Sequence, residues 1–220
     1  MNTKSKTLVA IGALLLAGLY FLPMWWIKLE APQYPGDLAL GIKIHINKVV
    51  GAKENDLENI NGLNHYIGMN RIEPDAIQEL KIMPYIVAVL IAIGLLAAAV
   101  GKKSLVIAWM GLVCAGGAIG LYDFWKWEYE YGHNLDPHAI IKIPGMSYQP
   151  PLFGTQELLN FTASSYPDIA FYMILVGLAL AAYAVMGKTE RKQLQADVAS
   201  IKNTITTNNG ATNAHNATVA

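Results

Sequence analysis

The stretch Ile82–Tyr122, reading IMPYIVAVLIAIGLLAAAVG, then KK, then SLVIAWMGLVCAGGAIGLY, decides how the chain is organised. Residues 82–101 are 20 in a row without a charge, and after Lys102-Lys103 residues 104–122 are 19 more. A helix needs about 20 mostly apolar residues to cross about 30 Å of hydrocarbon. A two-residue link between two such runs predicts a tight antiparallel helical pair. Moving outward, Leu8–Ile27 is another uncharged run of 20 residues and Ile169–Gly187 one of 19.

The whole chain agrees with this reading. Of its 220 residues 54% are hydrophobic and only 15% charged, against roughly 25% charged in an ordinary soluble domain. Such a composition excludes a disordered chain. The balance of 16 basic against 16 acidic residues argues against nucleic acid as a partner. Cys114 is the single cysteine, so no internal disulfide can form. The fold expected is an all-α membrane protein with four transmembrane helices and a small extracytoplasmic cap formed by two long loops, with some β structure in the first. Its parts are the amino terminus and first span (1–27), a first outer segment (28–81), a second span (82–101), a third (104–122), a second outer segment (123–168), a fourth span (169–187) and a cytoplasmic tail (188–220).

Basic residues near the span ends set the orientation. Lys4, Lys6, Lys102, Lys103, Lys188, Arg191 and Lys192 all fall on one side, which is therefore cytoplasmic. That side carries 8 basic and 2 acidic residues and the other 8 and 14. Both termini are expected in the cytoplasm, and the protein in a bacterial inner membrane. The first run is too long for a signal-peptide core and lacks a small-residue cleavage site, so it reads as an uncleaved anchor. Trp25, Trp26, Tyr122, Trp125, Trp127, Phe171 and Tyr172 lie where aromatic side chains favour the headgroup layer.

Within the first outer segment, Leu40, Ile42, Ile44 and Ile46 alternate with Gly41, Lys43, His45 and Asn47, the period of a strand that ends at Gly51. Apolar residues at 57, 60, 63 and 67 predict a helix, with Gly68 in the left-handed position after it. Pro74 suits the start of a further helix running into the second span, bent at Pro84. The second outer segment, rich in Pro and Gly, is expected to be irregular and packed on the first. Ser165-x-x-Asp168 reads as a capping box for the last span. Gly116 and Gly120 form a GxxxG, expected to pack within the molecule. In the tail, Leu194, Val198, Ile201 and Ile205 make a short heptad-like stripe, and 206–220 reads as disordered.

None of the four uncharged runs contains an Asp, Glu, Lys, Arg or His in its interior, which argues against proton relays, ion paths and haem ligation within the bundle. Hydrolase, zinc-protease and phosphate-loop motifs are missing too, so no enzymatic activity is expected. The positive signal is the placement of imidazole and thioether outside the spans. His65 and Met69 are spaced i, i+4, while His133, His138 and Met146 follow in the second segment. Such donors suit copper, thioether favouring Cu(I). Read from spacing alone, the same histidines could equally be hydrogen-bonded surface residues.

The strings Asn61-Gly-Leu-Asn-His65-Tyr-Ile-Gly-Met69 and Tyr131-Gly-His133-Asn-Leu-Asp-Pro-His138, running on to Pro144-Gly-Met146-Ser-Tyr-Gln-Pro-Pro151, resemble a family of small bacterial integral membrane proteins. That family is associated with gene clusters for nitrous oxide reductase of the Sec-exported type. The resemblance spans roughly residues 20–185 and implies an inner-membrane, periplasm-facing accessory protein for that copper enzyme. It implies transient copper binding through His65, Met69, His133, His138 and Met146, with a periplasmic copper chaperone or the reductase as partner. A metal-free docking or scaffold subunit, or a quinol-linked electron-transfer partner, are the alternatives.

Overall fold

The computed structural model describes residues 1–143, 145–158, 160–187, 193 and 196–202. It corrects the all-α expectation: the chain is mixed α/β, with a five-stranded antiparallel sheet mounted on a helical base. Only two helices are long and apolar enough to cross a membrane, α3 (Glu79–Val100) and α4 (Lys103–His133), rather than four. The first expected span is divided. Helix α1 (Thr3–Leu15) tightens into a 3-10 turn, Leu16–Tyr20, and past Pro23 the chain is already strand β1 (Trp25–Glu30). Paired tryptophans followed by alternating Ile27, Lys28, Leu29 and Glu30 are a strand pattern, which a count of uncharged residues cannot distinguish from a helix end. The fourth expected span is the 17-residue helix α5 (Ile169–Val185).

The sheet runs in the order β3-β2-β1-β5-β4. Strands β2 (Leu40–Ile44) and β3 (Val49–Gly51) form a hairpin from the first outer segment, and β4 (Gly154–Leu158) and β5 (Phe161–Pro167) one from the second. Strand β1 pairs with both, Ile27 lying between Ile42 on one side and Ser165 on the other. The second outer segment is therefore irregular only over its middle, from 134 to 153 among the described residues. Its Pro and Gly residues punctuate that part, but 123–131 contains neither, so α4 continues through it. The β4–β5 hairpin was hidden because the buried positions of β5, Ala163 and Ser165, are small and carry no hydrophobic alternation.

One sheet face carries Trp25, Ile27, Leu40, Ile42 and Ala163 and is covered by α2 (Asp56–Ile67) and the outer end of α4. Trp25 packs edge-on to Phe124 and Phe171, and its indole N–H donates to Ser165 Oγ at 2.7 Å. Ser165 thus serves the sheet, not a capping box; Asp168 alone caps α5, accepting from the Ile169 N–H. Many of the aromatics expected at the headgroup layer are in this core. Asp56, buried, accepts from the backbone N–H groups of Gly41 and Lys53 and ties α2 to the sheet. As expected, Gly68 ends α2 at φ +81°. Pro74 opens only a 3-10 turn, Pro74–Ala76, and α3 starts afresh at Glu79.

In the base, Trp109 of α4 is fully buried against Gly94 of α3 and donates to the Leu90 carbonyl at 2.8 Å. A Cβ on Gly94 would lie 2.7 Å from the indole, so the hairpin closes only because this residue has none. Helices α1 and α5 cross where Gly12 meets Gly177. A Cβ on either would meet the other's carbonyl oxygen, at 2.6 or 2.7 Å. Of the GxxxG pair expected to pack, Gly116 faces open space, as do Gly111 and Gly117, while a Cβ on Gly120 would lie 3.9 Å from the Met83 methyl group. At the end of the base away from the sheet, the N-terminal ammonium donates to the Gly101 carbonyl and Lys6 Nζ to the Ala99 carbonyl. Val198 and Ile201 of the tail stripe are exposed; Leu194, Ile205, the basic residues 188–192 and the tract 206–220 lie outside the described residues.

A side chain at the helix crossing cannot be absorbed by rotamer change, because it would strike backbone. Gly12→Val or Gly177→Val is expected to destabilise the chain by roughly 1–3 kcal/mol or more. Gly116→Val, in open space, is expected to leave the midpoint unchanged. Thermal unfolding of the detergent-solubilised variants measures both.

Candidate functional site: a buried carboxyl beside a cavity

Beyond Tyr122 helix α4 leaves its uncharged run and lies across the sheet. Leu121, Phe124, Trp127 and Tyr131 follow one another at helical spacing and pack on the apolar face. Glu128 sits on the same stripe, four residues after Phe124 and three before Tyr131. It is wholly buried, and neither carboxyl oxygen has a hydrogen-bond partner. Burial therefore pushes its carboxyl up to about 8, so at neutral pH it is mostly protonated and uncharged. By residue type alone Glu128 belongs with Asp123, Glu130 and Asp136, acids that could equally bind a cation or solubilise the outer rim. Its phase on the aromatic stripe is the signal that separates it from them.

Glu128 is in the wall of a cavity of about 310 Å³ enclosed by the sheet, α2, α4 and the segment 141–150. The lining is mostly apolar, with Ile27, Ile42, Ile60 and Leu63 prominent. Tyr148 also lines the wall, and its hydroxyl has no partner among the described residues; the Trp127 indole N–H is directed to the Tyr131 hydroxyl. Tyr148 is brought there by its backbone N–H, which donates to the Gly132 carbonyl at 2.9 Å. Gly132 permits this crossing, since a Cβ would lie 2.4 Å from the backbone of Gln149.

The two outer segments are joined at the cavity's edge. Asp136 N–H donates to the Gly68 carbonyl at 2.8 Å, and Ile141 N–H to the Tyr66 carbonyl at 2.9 Å. This brings the His65–Met69 end of α2 beside the 136–141 segment. The side chains of both quoted strings are largely architectural. Asn61 makes two hydrogen bonds with the Ile72 backbone, Asn64 donates to the Asn70 carbonyl, and Tyr131 to the Arg71 carbonyl.

Of the copper-donor candidates, His65 is exposed, and Met69 is half-buried and lines the cavity. His133 is exposed, stacked on Tyr129, with Nδ1 3.0 Å from the Tyr129 carbonyl. His138 is exposed, with Nδ1 3.3 Å from Asp136 Oδ1. Met146 is half-buried. Among the described residues no group of three or more His, Cys, Asp or Glu is gathered to hold an ion. His45, expected on a polar strand face, is buried beyond β2, where burial, with Lys48 and Lys43 nearby, favours its neutral form.

The raised affinity of Glu128 for its proton has a measurable sign. Between the ordinary carboxyl value and about 8 the folded chain holds a proton that the unfolded chain has released. Stability therefore falls as pH rises through that window, by up to about 1.4 kcal/mol per unit, and levels off above it. Glu128→Gln is expected to remove this slope and to be the more stable form at pH 8.5, as read from thermal midpoints between pH 5 and 9.

Neither family models nor curated proteins give a match to this chain, so what it does is argued from the cap and its cavity.

Proposed function

We propose that the chain is a non-enzymatic accessory protein of a bacterial inner membrane that serves a periplasmic copper enzyme of the nitrous oxide reductase type. Its cap docks the reductase or its copper chaperone and passes Cu(I) as cargo. The membrane anchor rests on α3 and α4, whose outward side chains, among them Val89, Leu96, Ile107 and Ile119, are large, apolar and exposed. A continuous surface of this kind suits lipid and not water. The cap faces the periplasm because Lys6, Lys102 and Lys103 gather at the opposite end of the hairpin.

The observation that carries the copper reading is the join between the outer segments, Gly68 to Asp136 and Tyr66 to Ile141. It puts segments bearing His65, Met69 and His138 side by side. Imidazole and thioether are suitable donors for Cu(I), and exposed, incompletely gathered donors favour transfer over storage. The copper-enzyme assignment itself is supported by the resemblance of the two strings.

Competition titration of the purified full chain with Cu(I) is expected to show binding that weakens at least tenfold in a His65→Ala/Met69→Ala/His138→Ala variant. Equal affinity of the variant and the parent chain overturns the ligand assignment. Co-purification of the reductase with that same variant would then favour metal-free docking.

A further inference from the structure

We propose that the cavity between the sheet, α2 and α4 is a binding site for a neutral, lipid-soluble carbonyl compound of quinone size, its carbonyl oxygen received by the Glu128–Tyr148 wall. This goes beyond copper handling and does not depend on it. Native interiors leave few polar groups unpaired. Here two side chains whose polar atoms have no partner among the described residues, Glu128 and Tyr148, border a single cavity. Glu128 is 0% exposed and Tyr148 5%.

The two also share a chemical character. A phenol donates readily. A carboxyl kept neutral by burial presents an O–H. A wall of donors beside an apolar chamber is complementary to a molecule that is apolar over most of its surface and accepts at one end. Anions are disfavoured, because no Lys or Arg lines the cavity among the described residues. The donors belong together by construction. Glu128 and Gly132 are i and i+4 on α4 and so share a face, and Tyr148 is held over that face by its bond to the Gly132 carbonyl.

The volume, about 310 Å³, lies at the lower end of small-molecule sites. It suits a fused ring pair and is too small for a full acyl chain. The carboxyl oxygens of Glu128 are closed to water. A head group reaches them only when the lining side chains shift, and the lining includes half-buried Met69, an adaptable side chain.

The test uses the full chain in phosphatidylcholine nanodiscs with menadione as probe and methyl palmitate as the acyl-lipid arm. Saturable quenching of tryptophan emission and a rise in the thermal midpoint are expected with menadione, over empty discs. Glu128→Leu, which removes the donor, and Leu63→Trp, which fills the chamber, are each expected to weaken binding at least tenfold. Glu128→Gln retains an N–H donor and is expected to stay within about threefold. The midpoint rise in the unsubstituted chain needs no variant, so a folding defect in either substitution does not decide the matter. No saturable binding to the unsubstituted chain, binding unchanged in both Glu128→Leu and Leu63→Trp, or displacement of menadione by equimolar methyl palmitate each overturns the proposal.

Discussion

The antiparallel pairing of β1 with β5 is the constraint from which the rest of the cap follows. It joins a strand that begins beyond α1 to one that ends at α5, in a register that sets Trp25 opposite Pro167 and Glu30 opposite Thr162. A slip of one residue would turn Trp25 and Ile27 to the outer face and Lys28 inward. With the register fixed, β2–β3 and β4–β5 extend the sheet on either side, and one continuous apolar face awaits cover. Helix α2 and the upper half of α4 supply it. The cavity is the space that these layers, of unequal side-chain size, leave unfilled.

The base was legible where chemistry and length agree. The α3–α4 hairpin follows from two uncharged runs and a pair of lysines, and α2 with its left-handed Gly68 from a 3.6-residue period and a stop signal. Elsewhere hydropathy alone misled. Residues 8–27 are uncharged throughout, yet the helix gives out before Pro23 and the remainder enters a sheet. Uncharged length counts residues suited to burial and says nothing of which backbone buries them. The β4–β5 hairpin was missed for the opposite reason. Ser165 is small where it meets the Trp25 indole, and Ala163 lies opposite Leu29, so burial at these positions leaves no apolar alternation to read.

The candidate site divides in the same way. The histidines and methionines stand out by type, and the structure finds three of them on exposed positions of a cap whose two halves are sewn together beside them. Glu128 stands out only by phase. A glutamate among acids and aromatics reads as solvated rim until its position on the Leu121–Phe124–Tyr131 stripe is considered. The motif residues with the clearest structural roles, Asn61, Asn64, Gly68 and Tyr131, are those that fix backbone to backbone. Distinctive strings can thus record the requirements of a scaffold as readily as those of a reaction.

Helix α4 runs for 31 residues without interruption, about 46 Å at 1.5 Å per residue. Its lower portion meets the apolar surroundings of the base, and its upper portion is a wall of the chamber. A rod of this kind has no joint at which movement can be lost. A tilt or twist imposed at the lower end by a neighbouring helix against the vacant Gly111–Gly117 side would arrive at Glu128 as a change in the chamber's shape. The lipid-facing half and the ligand-facing half are in this sense a single mechanical part.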